Sequence, residues 1–202
     1  MIVRTSVNRA VTLKRVLREL SAHNFAILST VDQHGQPDSA GVTYGVSARG
    51  GAVALYVMTR RHLKKARNIA HNPRVSLVVP LQRRVFRFVP PATIQLRGRA
   101  EILDWTEVDG TNVFRSFWMG RQILSAYEKS RRKGETGVCF LKITLDPVIR
   151  TYGVGHSIWS LRRHMEAAAG TVRRGAASDN EQGPQRPAIN DSSTRILSTD
   201  CG

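Results

Sequence analysis

Six short apolar stretches follow one another through turns, and helices interrupt them at only two places. Phe25 to Val31 reads as a buried strand, and Asp32-Gln33-His34-Gly35-Gln36 as a turn in which Gly35 can take positive φ. Further strands are expected at about Pro37–Val46, Val53–Met58, Val75–Val79 and Thr93–Leu103. The last runs from Val138 to Tyr152, interrupted at Asp146-Pro147. Strands joined by short turns argue for antiparallel pairing, and no Gly-x-Gly-x-x-Gly run supports a doubly wound parallel sheet. The expected fold class is therefore α+β: a six-stranded antiparallel split β-barrel with flanking helices and a disordered C-terminal tail.

Three helices complete the pattern. Val11, Leu13, Val16, Leu17 and Leu20 recur at helical spacing and predict an amphipathic helix from about Asn8 to Ala22. A short basic helix follows the third strand and stops near Asn72-Pro73. A long one, capped by Asp104 or Thr106 and kinked around Gly110, runs to about Ser130. Its apolar residues Val113, Phe114, Phe117, Trp118, Met119, Ile123 and Leu124 cover more than one helix face. A second subunit or the first helix could cover the surplus. Arg83 to Pro91 reads as an extended excursion ended by two prolines.

Hydrophobic residues make up 41% of the 202, enough for a core in a single domain expected over residues 1–160. Residues 161–202 are expected to form a largely disordered tail, with a helix continuing from Leu161 to Ala169 at most. Beyond Gly170 the segment cannot bury enough apolar surface to offset its ordering entropy. The formal net charge is +16, and the tail's six arginines and five acidic residues leave nearly all of it on the barrel. Such a field favours anionic partners without choosing among phosphorylated cofactors, nucleic acid and acidic membranes. No apolar run approaches the ~18 residues of a membrane span, and the N-terminus lacks a signal peptide's apolar core. With only Cys139 and Cys201, a disulfide framework is not expected; a cytoplasmic location is. The histidines stand singly, without partners at metal spacing, so no metal site is expected. No nucleophile elbow or carboxylate pair marks a catalytic residue.

The most informative stretch runs from Leu55 to Val75. A strand feeds a basic helix N-terminus, where free backbone N–H groups, the Thr59 hydroxyl and Arg60, Arg61, Lys64, Lys65 and Arg67 can converge on a phosphate. A solvated basic face would show the same residues.

This stretch resembles the flavin-binding split-barrel family of pyridoxamine 5'-phosphate oxidase, which includes deazaflavin-dependent reductases. Met58-Thr59, Leu63-Lys64-Lys65-Ala66 and Asn72-Pro73-Arg74-Val75 match its successive motifs. Ser29 to Pro37 is similar to its first hairpin, and Leu96-Arg97-Gly98-Arg99-Ala100-Glu101 to its Gly-x-Ala-Glu strand. The resemblance covers about residues 10 to 155. It implies an oxidoreductase whose FMN, or alternatively a deazaflavin (coenzyme F420), carries the hydride to or from a small molecule. It implies that Lys64 and Lys65, with Arg60 in support, contact the cofactor phosphate. Val42, Thr43, Tyr44, Met58 and Thr59 would flank the ring and ribityl chain. The family's flavin-contacting glutamine falls at Thr93, with Gln95 two residues on; Leu63 stands where the family has serine. The resemblance also implies a homodimer with the cofactor at the subunit interface. The substrate phosphate set of true pyridoxamine phosphate oxidases has no match in the helix from Thr111 to Ser130. Relatives of the barrel also handle haem. A barrel that lost its cofactor and binds nucleic acid or serves as a scaffold would be the alternative class.

Overall fold

The computed structural model describes residues 11–49, 52–81, 92–154 and 169–173. Helix α1 (Leu13–Ala22) starts where the Thr12 hydroxyl accepts the N–H of Arg15 at 3.3 Å, and its stripe of Leu13, Val16, Leu17 and Leu20 turns onto the barrel interior. Strands β1 (Phe25–Val31) and β2 (Pro37–Arg49) form a hairpin. Its turn is held by the Asp32 carboxylate, which accepts the N–H groups of His34 and Gln36 at 2.9 Å each; Gly35 sits at φ 78°. Then come β3 (Ala52–Arg60), α2 (Lys64–His71), β4 (Arg74–Leu81) and β5 (Ala92–Asp104). Helices α3 (Val108–Arg115) and α4 (Trp118–Arg132) lead to β6 (Val138–Leu145), β7 (Val148–Tyr152) and β8 (Ala169–Arg173).

Six strands close in the order β4-β1-β2-β3-β6-β5, and β5 returns to β4; each neighbouring pair is antiparallel. Alternation then sorts side chains. Leu28, Tyr44, Leu55, Val57, Leu77, Ile94, Leu96, Leu141 and Ile143 fill the interior. The expected barrel is present. β5 bends out of it: its first half pairs with β4 and with β7, and its second half with β6.

The expected long helix is two helices. The break lies at Ser116-Phe117, where Phe117 is extended (φ −128°, ψ 153°), rather than at Gly110. Gly110 is buried in α3 against Phe140, and a Cβ there would lie 3.0 Å from the Phe140 ring. The Asp104 carboxylate binds the N–H and hydroxyl of Thr106 in the turn before α3, whose own cap, Glu107, makes no side-chain bond. The break folds α4 back along α3, so Phe114, Leu124, Val113, Phe117 and Ile123 all pack over Tyr56, Met58 and Phe140 on the barrel's outer wall. The first helix does not cover them, since α1 packs with the interior cluster. Trp118 and Met119 stay exposed, at 63% and 47%.

Residues Ala169–Arg173, within the segment expected to be tail, form β8 against β7, so the sheet extends past residue 160. Val172 is buried in the interior cluster. The excursion at 83–91, the start of α1's expected span and the tail after 173 lie outside the described residues.

Candidate functional site

The basic segment enters the fold at one end of the barrel. β3 delivers Thr59 and Arg60, three residues turn, and α2 begins with Leu63 as its cap. Leu63 offers no side-chain bond to the helix start. The N–H groups of Lys64 and Lys65, at the first two helical positions, have no acceptor inside the helix. One buried polar pair holds α2 in place: the Asn68 side-chain amide donates to the Thr30 hydroxyl of β1 at 3.0 Å.

The cations here fall into two groups. Arg60 is engaged: its guanidinium donates to the Glu135 carboxylate, stacks over the Tyr127 ring at 5.0 Å and is only partly exposed. That bond, with a second from the Ser130 hydroxyl, holds Glu135 below the ordinary glutamate range. Lys64 forms an ion pair with Asp38 at 3.2 Å. Lys65 is half-buried and has no ion pair or side-chain hydrogen bond among the described residues. Lys64 also lines a cavity of about 330 Å³ with Asp32, Gln33, His34, Arg67, Asn68 and His71.

The strand residues named from the sequence divide by face. Val42, Tyr44 and Thr59 point into the barrel and are buried. The Tyr44 hydroxyl donates to the Leu20 carbonyl at 3.0 Å, and burial pushes its phenol pKa up. Met58 is buried beneath α3 and α4. These four can therefore meet an outside ligand only through the backbone. Thr43 is half-buried on the outer face, in register with Phe25. Thr93 and Gln95 alternate with buried Ile94 and so also face outward, in register with Pro80 and Val78 of β4. Strands β1 and β4 separate them from β2 and Thr43. The single chain thus leaves the candidates in two groups: one at the start of α2, one on β5. Between them the outer face carries Phe25 and Ile27, which are 51% and 41% exposed.

Sequence reading missed Asp38, Asn68, Thr30 and Glu135, whose roles arise from contacts between distant segments. It also missed a cavity of about 370 Å³ around Gln95, lined by Ser76, Leu96, Arg97, Asp146, Pro147, Val148 and Arg150. Period-two alternation along β5 was the available signal, since it puts Arg97 on the same face as Gln95. Among the described residues, no group of three or more His, Cys, Asp or Glu could hold a metal ion, and no helix is long and apolar enough to cross a membrane.

The profile of the pyridoxamine 5'-phosphate oxidase family matches residues 13–148. No curated protein matches the chain. Among solved structures, HutZ, the heme storage protein from Vibrio cholerae, is similar at 15% identity and TM-score 0.53, over 69% of this chain and 94% of that one. A heme binding protein from Mycobacterium smegmatis is similar at 18% identity and TM-score 0.54; 77% of this chain matches 55% of that longer one. ChuZ from Campylobacter jejuni is similar at 16% identity and TM-score 0.57, over 84% and 64%. At these identities the likeness is one of fold.

Proposed function

The chain belongs to the pyridoxamine 5'-phosphate oxidase family, and from that premise we propose that it is an FMN-dependent oxidoreductase acting on a small molecule. The observation that carries the reading is Lys65, a half-buried side chain without an ion pair or side-chain hydrogen bond among the described residues, beside the uncapped first turn of α2. A lysine whose stem is covered and whose ammonium has no internal partner is free to pair with an anion at the helix start. The N–H groups of the first turn and the positive end of the helix act in the same direction. These residues fit a phosphate.

In this reading Lys65 and the first-turn N–H groups hold the terminal phosphate, and Asp38 fixes Lys64 as a neighbouring donor. Arg60, already neutralised by Glu135, braces the end of β3 instead of binding the phosphate. The backbone of Val42–Tyr44 and Met58–Thr59, with the Thr43 side chain, would line the ribityl chain. FMN supplies hydride chemistry when bound, and the chain orients it and excludes water. Because Thr93 and Gln95 lie on a separate part of the outer face, the complete site would need a homodimer that brings two subunits' halves together. Exposed Phe25 and Ile27 support such a pairing.

A deazaflavin is the second reading, favoured by Arg61 and Arg67, exposed cations near Lys65 that a longer anionic tail could reach. The test is a titration of the purified protein with FMN, the deazaflavin and hemin, followed by absorption and fluorescence. Saturable FMN binding at micromolar concentration supports the proposal. A hemin complex with no flavin binding would move this chain to the role named for two of its structural neighbours.

A further inference from the structure

The cavity beside Gln95 lies on the outer wall where β5 leaves the barrel to pair with β7. Two arginines line it. Arg150 stands directly opposite Gln95 in the β5–β7 register, and Arg97 is two residues further along the same face of β5, directly opposite Ser76 of β4. The two arginines are therefore diagonal neighbours on adjacent strands, close enough for long side chains to converge on one ligand. A third side joins them. The N–H of Asp146 donates to the Arg97 carbonyl at 2.8 Å and fixes the turn from β6 to β7, whose Asp146, Pro147 and Val148 form the remaining wall.

Neither Arg97 nor Arg150 makes an ion pair or side-chain hydrogen bond among the described residues. Elsewhere this basic chain often places acids by its cations: Arg60 has Glu135, Lys64 has Asp38, and Lys142 stands opposite Glu101. Here two exposed like charges are diagonal neighbours with neutral Ser76 and Gln95 as their cross-strand partners; Asp146 lines the same cavity but is held in no ion pair with either, so both arginines are available to a ligand anion. A planar guanidinium pair above amide and hydroxyl groups suits a carboxylate or phosphate, which each arginine can grip through two parallel N–H bonds.

We infer that this cavity is a binding site for a small anionic molecule, held through its carboxylate or phosphate by Arg97 and Arg150 with Ser76 and Gln95 alongside. The Asp146 carboxylate on the wall favours a ligand that also carries an N–H or O–H donor. Where FMN binds as proposed above, Gln95 ties this cavity to the cofactor site and makes the anion a feature of the substrate. The anion site itself stands without that reading.

The test is calorimetric titration at low ionic strength with pyrophosphate and, separately, succinate, to distinguish phosphate from carboxylate chemistry. The Lys65→Ala protein is used, so that the α2 end cannot report. Saturable binding of either probe is expected, weakened about tenfold to a hundredfold by Arg97→Gln or Arg150→Gln, the range for loss of one charge-assisted bond. Unchanged thermal melting establishes that these variants fold. Absence of saturable binding to both probes overturns the inference, as does binding indifferent to both arginine substitutions. FMN titration of the Arg97→Gln and Arg150→Gln proteins in the Lys65 background reports the flavin reading separately, so either idea can fail alone.

Discussion

The Asn68 side-chain amide donates to the Thr30 hydroxyl at 3.0 Å, with both side chains buried, and so ties α2 to the end of β1. The bond sets how Lys64 and Lys65, one turn earlier, face their surroundings. Asn68→Ala would leave the Thr30 hydroxyl without this partner. Stability should fall by about 1–3 kcal/mol, read by urea denaturation, and FMN affinity should fall with it. Lost stability with unchanged affinity would mean that the α2 end does not hold the cofactor.

Lys65→Ala should weaken FMN binding about tenfold to a hundredfold, as expected for one charge-assisted bond to phosphate, with the melting temperature unaltered. Arg60→Gln should do the reverse, lowering melting temperature through the lost Glu135 contact while changing affinity less. Fluorescence titration and thermal melts on both proteins decide. Unchanged affinity in Lys65→Ala would make the basic helix a solvated face.

The Arg60–Glu135 pair has a pH signature. Bonds from Arg60, then Ser130, hold Glu135 below its ordinary value of 4.5, so the folded state binds its proton less readily than the unfolded state. The resulting stabilisation is full at neutral pH and is lost as pH falls through the lowered value. Glu135→Gln should melt lower than the parent at neutral pH, and the gap should shrink in the acid range below 4.5. Both partners are partly exposed, so the gap is small and salt-sensitive. A gap that widens in acid contradicts the assignment.

Close packing of α4 on α3 depends on Gly120. A Cβ there would stand 2.2 Å from the Phe114 carbonyl oxygen and 2.7 Å from the Phe117 ring. Gly120→Ala should cost about 1–3 kcal/mol by overpacking. Gly137→Ala, which would meet only the His62 ring at 3.8 Å, should cost far less. Paired denaturation curves test the contrast.

Ile27→Glu places a charge in the middle of the exposed apolar part of the outer face. Light scattering at low micromolar concentration should show a dimer for the parent and a monomer for this variant, with FMN binding lost in the monomer. A parent monomer that binds FMN tightly would exclude a shared site.

Residues near one another along the chain determined much of this protein. Alternation in β1 and β5, Gly35 in the first turn and the stripe of α1 each follow from which side chains can face water, a property of the local period. The basic start of α2 was equally visible, as was its likeness to a flavin family. Which cation is free was not. Lys64, Lys65 and Arg60 look alike in sequence, yet Asp38 and Glu135 engage two of them from 26 and 75 residues away. The apolar surplus of the long helix was real, but the turn at Ser116-Phe117 let one chain bury most of it. β8 had no periodicity of its own to announce it and exists because β7 offers an edge. The two arginines of the β5–β7 cavity come from strands that become neighbours only when β5 leaves the barrel. Periodicity reports the face a residue shows, while its charge partner is set by chain closure over long separations, and that is decided only in the folded molecule.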